Sequence, residues 1–147
     1  MLDMRRVSFD VAGDPVPKAR PRVVRKGGRT WSYTPKRVTK WENKVREEAE
    51  KYFSEPIDGP VALTLGFYLS RPKSRKKENY VPVTPDLDNL EKAILDGLNE
   101  VAYEDDKLVV VKSSAKFYVR YGQNPHVNIT VTPIVNQLRI DEFSSSD

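Results

Sequence analysis

The order of apolar patterns along this chain of 147 residues constrains its fold more than any other feature. Apolar residues recur at helical spacing from about Pro35 to Phe53, and again from Pro85 or Asp88 to Leu98. Strand-like patterns, alternating or continuously apolar, occupy 5–12, 61–69, 108–111 with 116–120, and 127–131. The order strand, helix, strand, helix, strand, strand predicts the α+β class, with a small mixed β-sheet and two packed α-helices in a single domain.

Proline and glycine residues predict where these elements begin and end. Thr34-Pro35 suits a helix start, with threonine as the N-cap and proline as the first helical residue. The segment from Pro15 to Gly28 is predicted to be an extended loop, because each of its prolines disfavours helix at the preceding residue. Gly122 to Pro125 predicts a turn, after which Val127 to Val131 is expected to pair back on the preceding strand.

Composition excludes several classes of protein. The chain has no Cys and a single histidine, His126, which excludes disulfide frameworks, thiolate zinc sites and any site that needs two histidines. No apolar run is long enough for a membrane span or a signal peptide, so we expect no membrane partner and a cytoplasmic location.

Positive charge is concentrated in two blocks. Pro15 to Thr39 contains eight Lys and Arg residues and no acid, and Arg71 to Lys77 contains five basic residues among seven. Such blocks are typical of solvated loops or of phosphate-binding surfaces, and two of them beside an acidic cluster favour a polyanion such as DNA. The predicted DNA-binding residues are Lys18, Arg20, Arg22, Arg25, Lys26, Arg29, Lys36, Lys73, Arg75, Lys76 and Lys77.

Two pairs of aspartates follow the basic blocks. Asp86 and Asp88 stand at the start of the second helix, and Asp105 and Asp106 stand at the head of the next strand. Mg²⁺ prefers oxygen ligands and keeps several waters for substrate phosphates to displace. Lys92, four residues after Asp88, lies on the same helical face, where a cation can stabilise the leaving oxygen. The pattern predicts a metal-dependent nuclease that hydrolyses phosphodiesters with a metal-activated water.

Each acidic pair also has a purely structural interpretation. Asp88 with Glu91 matches a capping box, and Asp105-Asp106 could form an acidic turn. Capping does not explain why Lys92 and Asp96 continue the polar stripe of the same helix.

Four motifs follow one another along most of the chain. They are Gly13-x-Pro15-Val16-Pro17-Lys18-x-Arg20-Pro21-Arg22, Tyr33-Thr34-Pro35, Pro85-Asp86-x-Asp88-Asn89-Leu90-x-Lys92-Ala93-x-x-Asp96 and Tyr103-x-Asp105-Asp106. In this order and spacing they resemble the RusA family of Holliday-junction resolvases, which are small endodeoxyribonucleases. Thr84 departs from the resemblance, because family members often carry a basic residue at that position.

The resemblance implies a catalytic set of Asp86, Asp88, Lys92 and Asp106. The three aspartates would bind one or two Mg²⁺ ions, with Asp105 as a less critical metal ligand. It also implies a homodimer that nicks opposing strands of a four-way DNA junction symmetrically, in DNA recombination and repair. The implied source is a bacterium or a phage. Residues 1–133 then form the RusA-like endodeoxyribonuclease domain, followed by a polar C-terminal tail at 134–147.

Two other interpretations remain open. Pro85-Asp86 followed by Asp105-Asp106-Lys107 matches the loose PD…(D/E)xK pattern of many endonucleases, in which Lys107 would belong to the site. Alternatively, the chain is a catalytically silent module that binds branched DNA on the same scaffold. Retained carboxylates argue against such a module, because they would repel DNA phosphates.

Overall fold

The computed structural model describes residues 5–75 and 77–135, which form a four-stranded sheet, a separate β-hairpin and two α-helices. The sheet contains β1 (Val7–Ala12), β4 (Val61–Leu69), β5 (Val109–Tyr118) and β6 (His126–Pro133). The hairpin contains β2 (Arg22–Lys26) and β3 (Arg29–Tyr33), and the helices are α1 (Lys36–Glu50) and α2 (Leu87–Leu98). The predicted α+β class, a mixed sheet with two packed helices in a single domain, is confirmed.

The main sheet has the strand order β1-β6-β4-β5. β6 pairs antiparallel with β1 and β4, whereas β4 and β5 run parallel and are joined by α2, since parallel neighbours need a crossover. The prediction that the last strand pairs back on the strand before it is therefore wrong. β6 buries Val127, Ile129 and Val131 between two neighbours, and β5 is left at the edge of the sheet.

The segment predicted as an extended loop up to Gly28 instead contains β2 and the turn of the β2–β3 hairpin. Gly27 and Gly28 form its turn with φ of +57° and +75°, the left-handed region that a type I′ hairpin turn requires at both positions. The hairpin side chains are mostly exposed, so the segment lacks the half-buried alternation by which strands are recognised in a sequence.

One hydrophobic core joins both helices to the sheet. The predicted stripe of α1 is buried at Val38, Trp41, Val45 and Ala49, and it packs with apolar side chains of α2 and of the sheet. α1 begins one residue later than predicted, with Pro35 as the N-cap, and it ends at Glu50. No helix in the described parts of the chain is long and apolar enough to cross a membrane.

The predicted C-terminal tail lies almost wholly outside the described residues. Its first residue, Ile134, donates its backbone N–H to the carbonyl oxygen of Pro60 at 2.9 Å and so continues the fold beyond β6. Residues 136–147 are not described, and the predicted domain boundary stays a prediction.

Gly97 allows α1 and α2 to approach each other closely. A Cβ atom at this position would lie 3.0 Å from the carbonyl oxygen of Glu42 and 3.0 Å from Cβ and Cγ1 of Val45. These atoms belong to the backbone and to a buried side chain of α1, so they have little freedom to move. The contact sets the distance between α1 and the helix that carries Asp88.

We expect Gly97→Ala to destabilise the protein. Overpacking typically costs ~1–3 kcal/mol, and this exceeds the gain of about 1 kcal/mol that alanine brings to a helix interior. Chemical denaturation should therefore give a lower free energy of unfolding. Gly59→Ala is the control, because a Cβ there meets no atom within 4 Å. A stabilised Gly97→Ala protein would contradict the close helix contact.

Candidate active site

The start of α2 presents two exposed aspartates. Asp86 is the N-cap residue, with φ −72° and ψ +143°, and Asp88 lies in the first turn, where the helix dipole favours negative charge. In the described structure the Asp86 side chain makes no capping hydrogen bond, and the Glu91 carboxylate bonds to Ser114 on β5 instead. The capping-box interpretation of Asp88 and Glu91 is therefore wrong.

An open cleft of about 300 Å³ runs beside the polar stripe of α2. One wall is α2, and the other is formed by the 3₁₀ turn Asp106–Leu108 and the beginning of β5. The cleft is lined by Asp88, Lys92, Leu95, Asp96, Asp106 and Lys112. The structure therefore brings together Asp88, Lys92 and Asp106 of the predicted catalytic set.

Asp106 reaches the cleft because the chain after α2 folds back along the helix. Tyr103 is fully buried, and its hydroxyl donates to the carbonyl oxygen of Leu95, in the last turn of α2, at 2.9 Å. Burial raises the pKa of Tyr103, and the charges of Asp106 and Asp96 raise it further. Tyr103 therefore remains a neutral donor and anchors the segment that leads into Asp106.

Asp86 lies on the other side of the helix start. It lines a neighbouring cleft of about 650 Å³, whose walls also include Lys18, Arg37 and Asn89. Asp86 thus borders a different cleft from the one lined by Asp88 and Asp106. The predicted convergence of the three carboxylates on a metal ion stays a prediction.

Lys116 fixes the chain just before Asp86. Its Nζ donates to the carbonyl oxygens of Val83 at 2.6 Å and Pro85 at 2.8 Å. Lys116 belongs to β5, so the edge strand holds both the approach to α2 and one wall of the first cleft.

The donor chemistry of the cleft suits a hard divalent cation. Within residues 5–75 and 77–135, no group of three or more Asp, Glu or His side chains is placed to hold a metal ion. Mg²⁺ is commonly bound by one or two carboxylates and completes its shell with waters and substrate phosphates. Asp88 and Asp106, from the two walls of one open cleft, fit that set. Metal binding by Asp86, Asp88, Asp105 and Asp106 stays a prediction.

Asp105 and Asp106 have different surroundings. The carboxylate of Asp105 accepts a hydrogen bond of 2.9 Å from the backbone N–H of Lys107, and this bond lowers the pKa of Asp105. Asp105 thus caps the 3₁₀ turn. Among the described residues, those that line the cleft include neither Asp105 nor Lys107. This arrangement does not favour the PD…(D/E)xK interpretation, which requires Lys107 beside the carboxylates.

Two charged residues beside the cleft were not predicted from the motifs. Glu91 is only 6% exposed, and its Oε1 lies 3.3 Å from Nζ of Lys112, which lines the cleft. Its other carboxylate oxygen accepts a short hydrogen bond from the hydroxyl of Ser114. Lys112, Ser114 and Lys116 alternate along β5 and therefore project from one face. The period-two spacing of these three residues is the sequence signal that could have identified Lys112.

Lys18 is predicted to bind DNA, but the structure places it between the two helices. Its Nζ lies 2.9 Å from Oε2 of Glu42 on α1 and 3.0 Å from Oδ2 of Asp96 on α2, and its side chain is 19% exposed. Burial by itself would lower the pKa of Lys18, but hydrogen bonds to both carboxylates raise it above its ordinary value. Lys18 therefore links α1 and α2, and its contact with DNA stays a prediction.

The other predicted DNA-binding residues lie at the surface, apart from Lys76, which is outside the described residues. The hairpin register places Arg22 opposite Tyr33, Val24 opposite Trp31 and Lys26 opposite Arg29. Directly opposed residues share one face, so these basic and aromatic side chains lie together on it. Trp31 and Tyr33 are 45% and 44% exposed. Of the remaining predicted residues, Arg25 on the opposite face of the hairpin is exposed, as are Arg20, Lys36, Lys73 and Lys77, and Arg75 is half-buried.

Comparisons with known proteins agree with this architecture. The family model of the endodeoxyribonuclease RusA matches residues 12–132. The chain is also 31% identical over 140 residues to "Uncharacterized protein YqaN" of Bacillus subtilis (strain 168), covering 87% of this chain and 96% of that protein. This chain belongs to the RusA family of endodeoxyribonucleases. The resemblance found in the four sequence motifs is thereby confirmed.

We expect Lys18→Met to lower the free energy of unfolding by about 1–2 kcal/mol, because two partly buried carboxylates lose their cation. The pKa of Lys18 is raised in the folded state, so its contribution is complete below its ordinary value of 10.5 and is lost as the pH rises above it. Denaturation of both proteins across this range should show a stability difference that shrinks only at the alkaline end.

Lys51→Met is the matched control for this measurement. Lys51 pairs with Glu48 at 3.0 Å on the exposed surface of α1, and such pairs contribute little to stability. Equal stabilities of the Lys18→Met and Lys51→Met proteins would contradict a linking role for Lys18.

Proposed function

We propose that this protein is a Mg²⁺-dependent endodeoxyribonuclease that resolves four-way DNA junctions by paired symmetric nicks in recombination and repair. The observation that carries the proposal is the cleft in which Asp88, Lys92 and Asp106 meet. Family membership supplies the reaction class, because RusA is an endodeoxyribonuclease. Carboxylates beside a lysine, in a chain with a basic surface, suit hydrolysis of a polyanion.

The reaction breaks one P–O bond of the DNA backbone and forms another with the oxygen of a water molecule. A bound Mg²⁺ would acidify that water and neutralise phosphate charge. Asp88 and Asp106 are suited to hold the ion, because they offer oxygen donors from the two walls of the cleft. Lys92, one turn after Asp88, is suited to stabilise the charge on the phosphorane or on the leaving oxygen.

The basic hairpin face and the start of α1 are proposed to hold the DNA. Arg22, Lys26 and Arg29 can contact phosphates, while Trp31 offers an exposed ring for stacking on an unpaired base near the branch. α1 begins with Lys36 and has no acid in its first turn, so its free N–H groups and positive dipole also favour phosphate.

A homodimer follows from the proposed reaction. Symmetric nicking of two opposed strands requires two active sites, and each chain provides one cleft with this set of residues. Two chains side by side would also present two basic surfaces to the converging backbones of a four-way junction. A linear duplex could contact only one of these surfaces fully.

The proposal is tested by measuring cleavage of a synthetic four-way junction, with each strand labelled in turn, and of a matched linear duplex. Both substrates are incubated with the protein in Mg²⁺ and in EDTA. The wild-type protein should nick opposed junction strands at symmetric positions only with Mg²⁺. Asp88→Asn should slow cleavage by on the order of 10²-fold or more while keeping or improving junction binding, because it removes a metal donor and a charge that repels phosphate.

Asp105→Asn is the matched control, since it also removes one carboxylate but outside the cleft. It should cleave much faster than Asp88→Asn. Wild-type activity in Asp88→Asn would disprove the assignment of that residue. Junction binding without cleavage under any condition would instead favour the silent binding module, and equal cleavage of duplex would leave a general nuclease.

The DNA-binding surface is tested by salt dependence. Junction affinity falls with salt more steeply when more phosphates are contacted, with a slope of roughly −0.9 per contact for duplex DNA. Lys26→Ala with Arg29→Ala should flatten the slope by about two units if each side chain contacts one phosphate. Lys51→Ala should leave it unchanged. An unchanged slope in the double variant would remove the hairpin tip from the DNA-binding surface.

A further inference from the structure

Lys112 occupies a position in the cleft for which none of the four motifs accounts. It stands on β5, on the wall opposite α2, and lines the cleft together with Asp88, Lys92 and Asp106. It also lines an adjoining cleft, together with Asp106 and Val109. Its side chain is 41% exposed, so its ammonium group can be reached from solvent. A strand at the edge of the sheet thus presents a cation to the carboxylates of the predicted metal site.

A buried carboxylate holds this cation. Glu91 Oε1 lies 3.3 Å from Lys112 Nζ, and the hydroxyl of Ser114 occupies the other carboxylate oxygen. Glu91 is almost fully buried, although burying a charge is costly unless it is paired. Because Lys112 is half-exposed, its ion pair with Glu91 contributes little to stability. The pair does fix the orientation of the Lys112 ammonium group.

The charges of the cleft leave Lys112 available for an anion. Three aspartates and two lysines line the cleft, and Asp96 is already paired with Lys18. An ammonium group has three N–H donors, and in the described structure Glu91 is the one carboxylate within 4 Å of Lys112. Lys92 and Lys112 therefore flank the cleft from its two walls, as a phosphate group between them would require.

We infer that Lys112 is a second phosphate-binding cation of the active site and that Glu91 is its positioning residue. The ligand is the scissile phosphodiester of a DNA strand, whose non-bridging oxygens Lys112 contacts while Lys92 contacts it from α2. The inference rests on the proposed function of the cleft and adds two residues to it. Glu91 acts only through Lys112 and does not touch the substrate.

The first test compares Lys112→Met with Lys51→Met in junction cleavage. Both variants remove one lysine charge and one ion pair with a glutamate, but Lys51 lies on the exposed surface of α1. Lys112→Met should lower kcat by about 10²-fold, as expected when one group that stabilises transition-state charge is removed. Lys112→Arg should recover part of this loss, and Lys51→Met should behave as wild type.

The second test is a double-mutant cycle with Glu91→Gln. The glutamine keeps a hydrogen-bond acceptor for Ser114 but loses the charge that holds Lys112. Glu91→Gln should lower kcat about tenfold in the wild-type background and have no further effect in Lys112→Met, because the two residues act as one unit. A purely structural Glu91 would give equal effects in both backgrounds, together with a lower Tm, and would overturn its positioning role.

Failure of this inference can be distinguished from failure of the proposed function. If the wild type nicks junctions and Lys112→Met does so at the same rate, the role of Lys112 is wrong and the proposed function stands. If the wild type cleaves no DNA, the proposed function fails, and the salt slope of junction binding in EDTA decides the inference. Lys112→Met should then flatten that slope by about one unit. A slope equal to that of Lys51→Met would overturn it.

Discussion

The hydrogen bond from Tyr103 to the carbonyl oxygen of Leu95 determines where the two walls of the cleft stand. α2 ends at Leu98, and the chain reverses direction through Glu100, which has φ of +68°. The buried phenol of Tyr103 then ties the returning chain to the last turn of the helix. Asp106 follows three residues later, so its position beside Asp88 and Lys92 depends on this anchor.

Charged side chains fix α2 from two further directions. Lys18 connects it to α1 through Glu42 and Asp96, and Glu91 connects it to the edge strand through Lys112 and Ser114. Arrangements of this kind contribute little net stability compared with apolar side chains of similar size, although removing one partner leaves the other unpaired and is destabilising. They do restrict the rotation of the helix about its axis. This restriction keeps the polar side chains of α2 in the cleft.

The hairpin proposed to bind DNA and the cleft proposed to be catalytic are supported by different parts of the fold. The hairpin forms its own two-stranded sheet with mostly exposed side chains, whereas the cleft is supported by buried residues of α2 and by the main sheet. Substitutions on the hairpin can therefore change how DNA is held without disturbing the geometry of the cleft. Catalytic substitutions at Asp88 can likewise leave binding in place. Such a division suits an enzyme that must hold a branched DNA before it cuts.

Much of the fold could be predicted from local patterns. The apolar stripe of α1 and the continuous apolar run of β4 appear in the structure close to their predicted limits, because burial of one helical face or one strand depends mainly on residue spacing. The β2–β3 hairpin was missed, although Gly27-Gly28 is a hairpin-turn signal, because exposed strands carry no apolar alternation. The insertion of β6 between β1 and β4 depends on contacts between segments that are distant in the sequence, and a local pattern contains no information about them.

The sequence by itself determined the α+β class, the family and the identity of the charged residues at the start of α2. Only the tertiary structure decided which of them share a cleft. Spacing along α2 places Asp88 with Lys92 and Asp96, but helix rotation and the Tyr103 anchor place Asp106 there and direct Asp86 to the neighbouring cleft. Tertiary contacts also pair Lys18 with carboxylates of both helices and bring Lys112 to the site. These partners are distant in the sequence, so spacing along the chain does not reveal them.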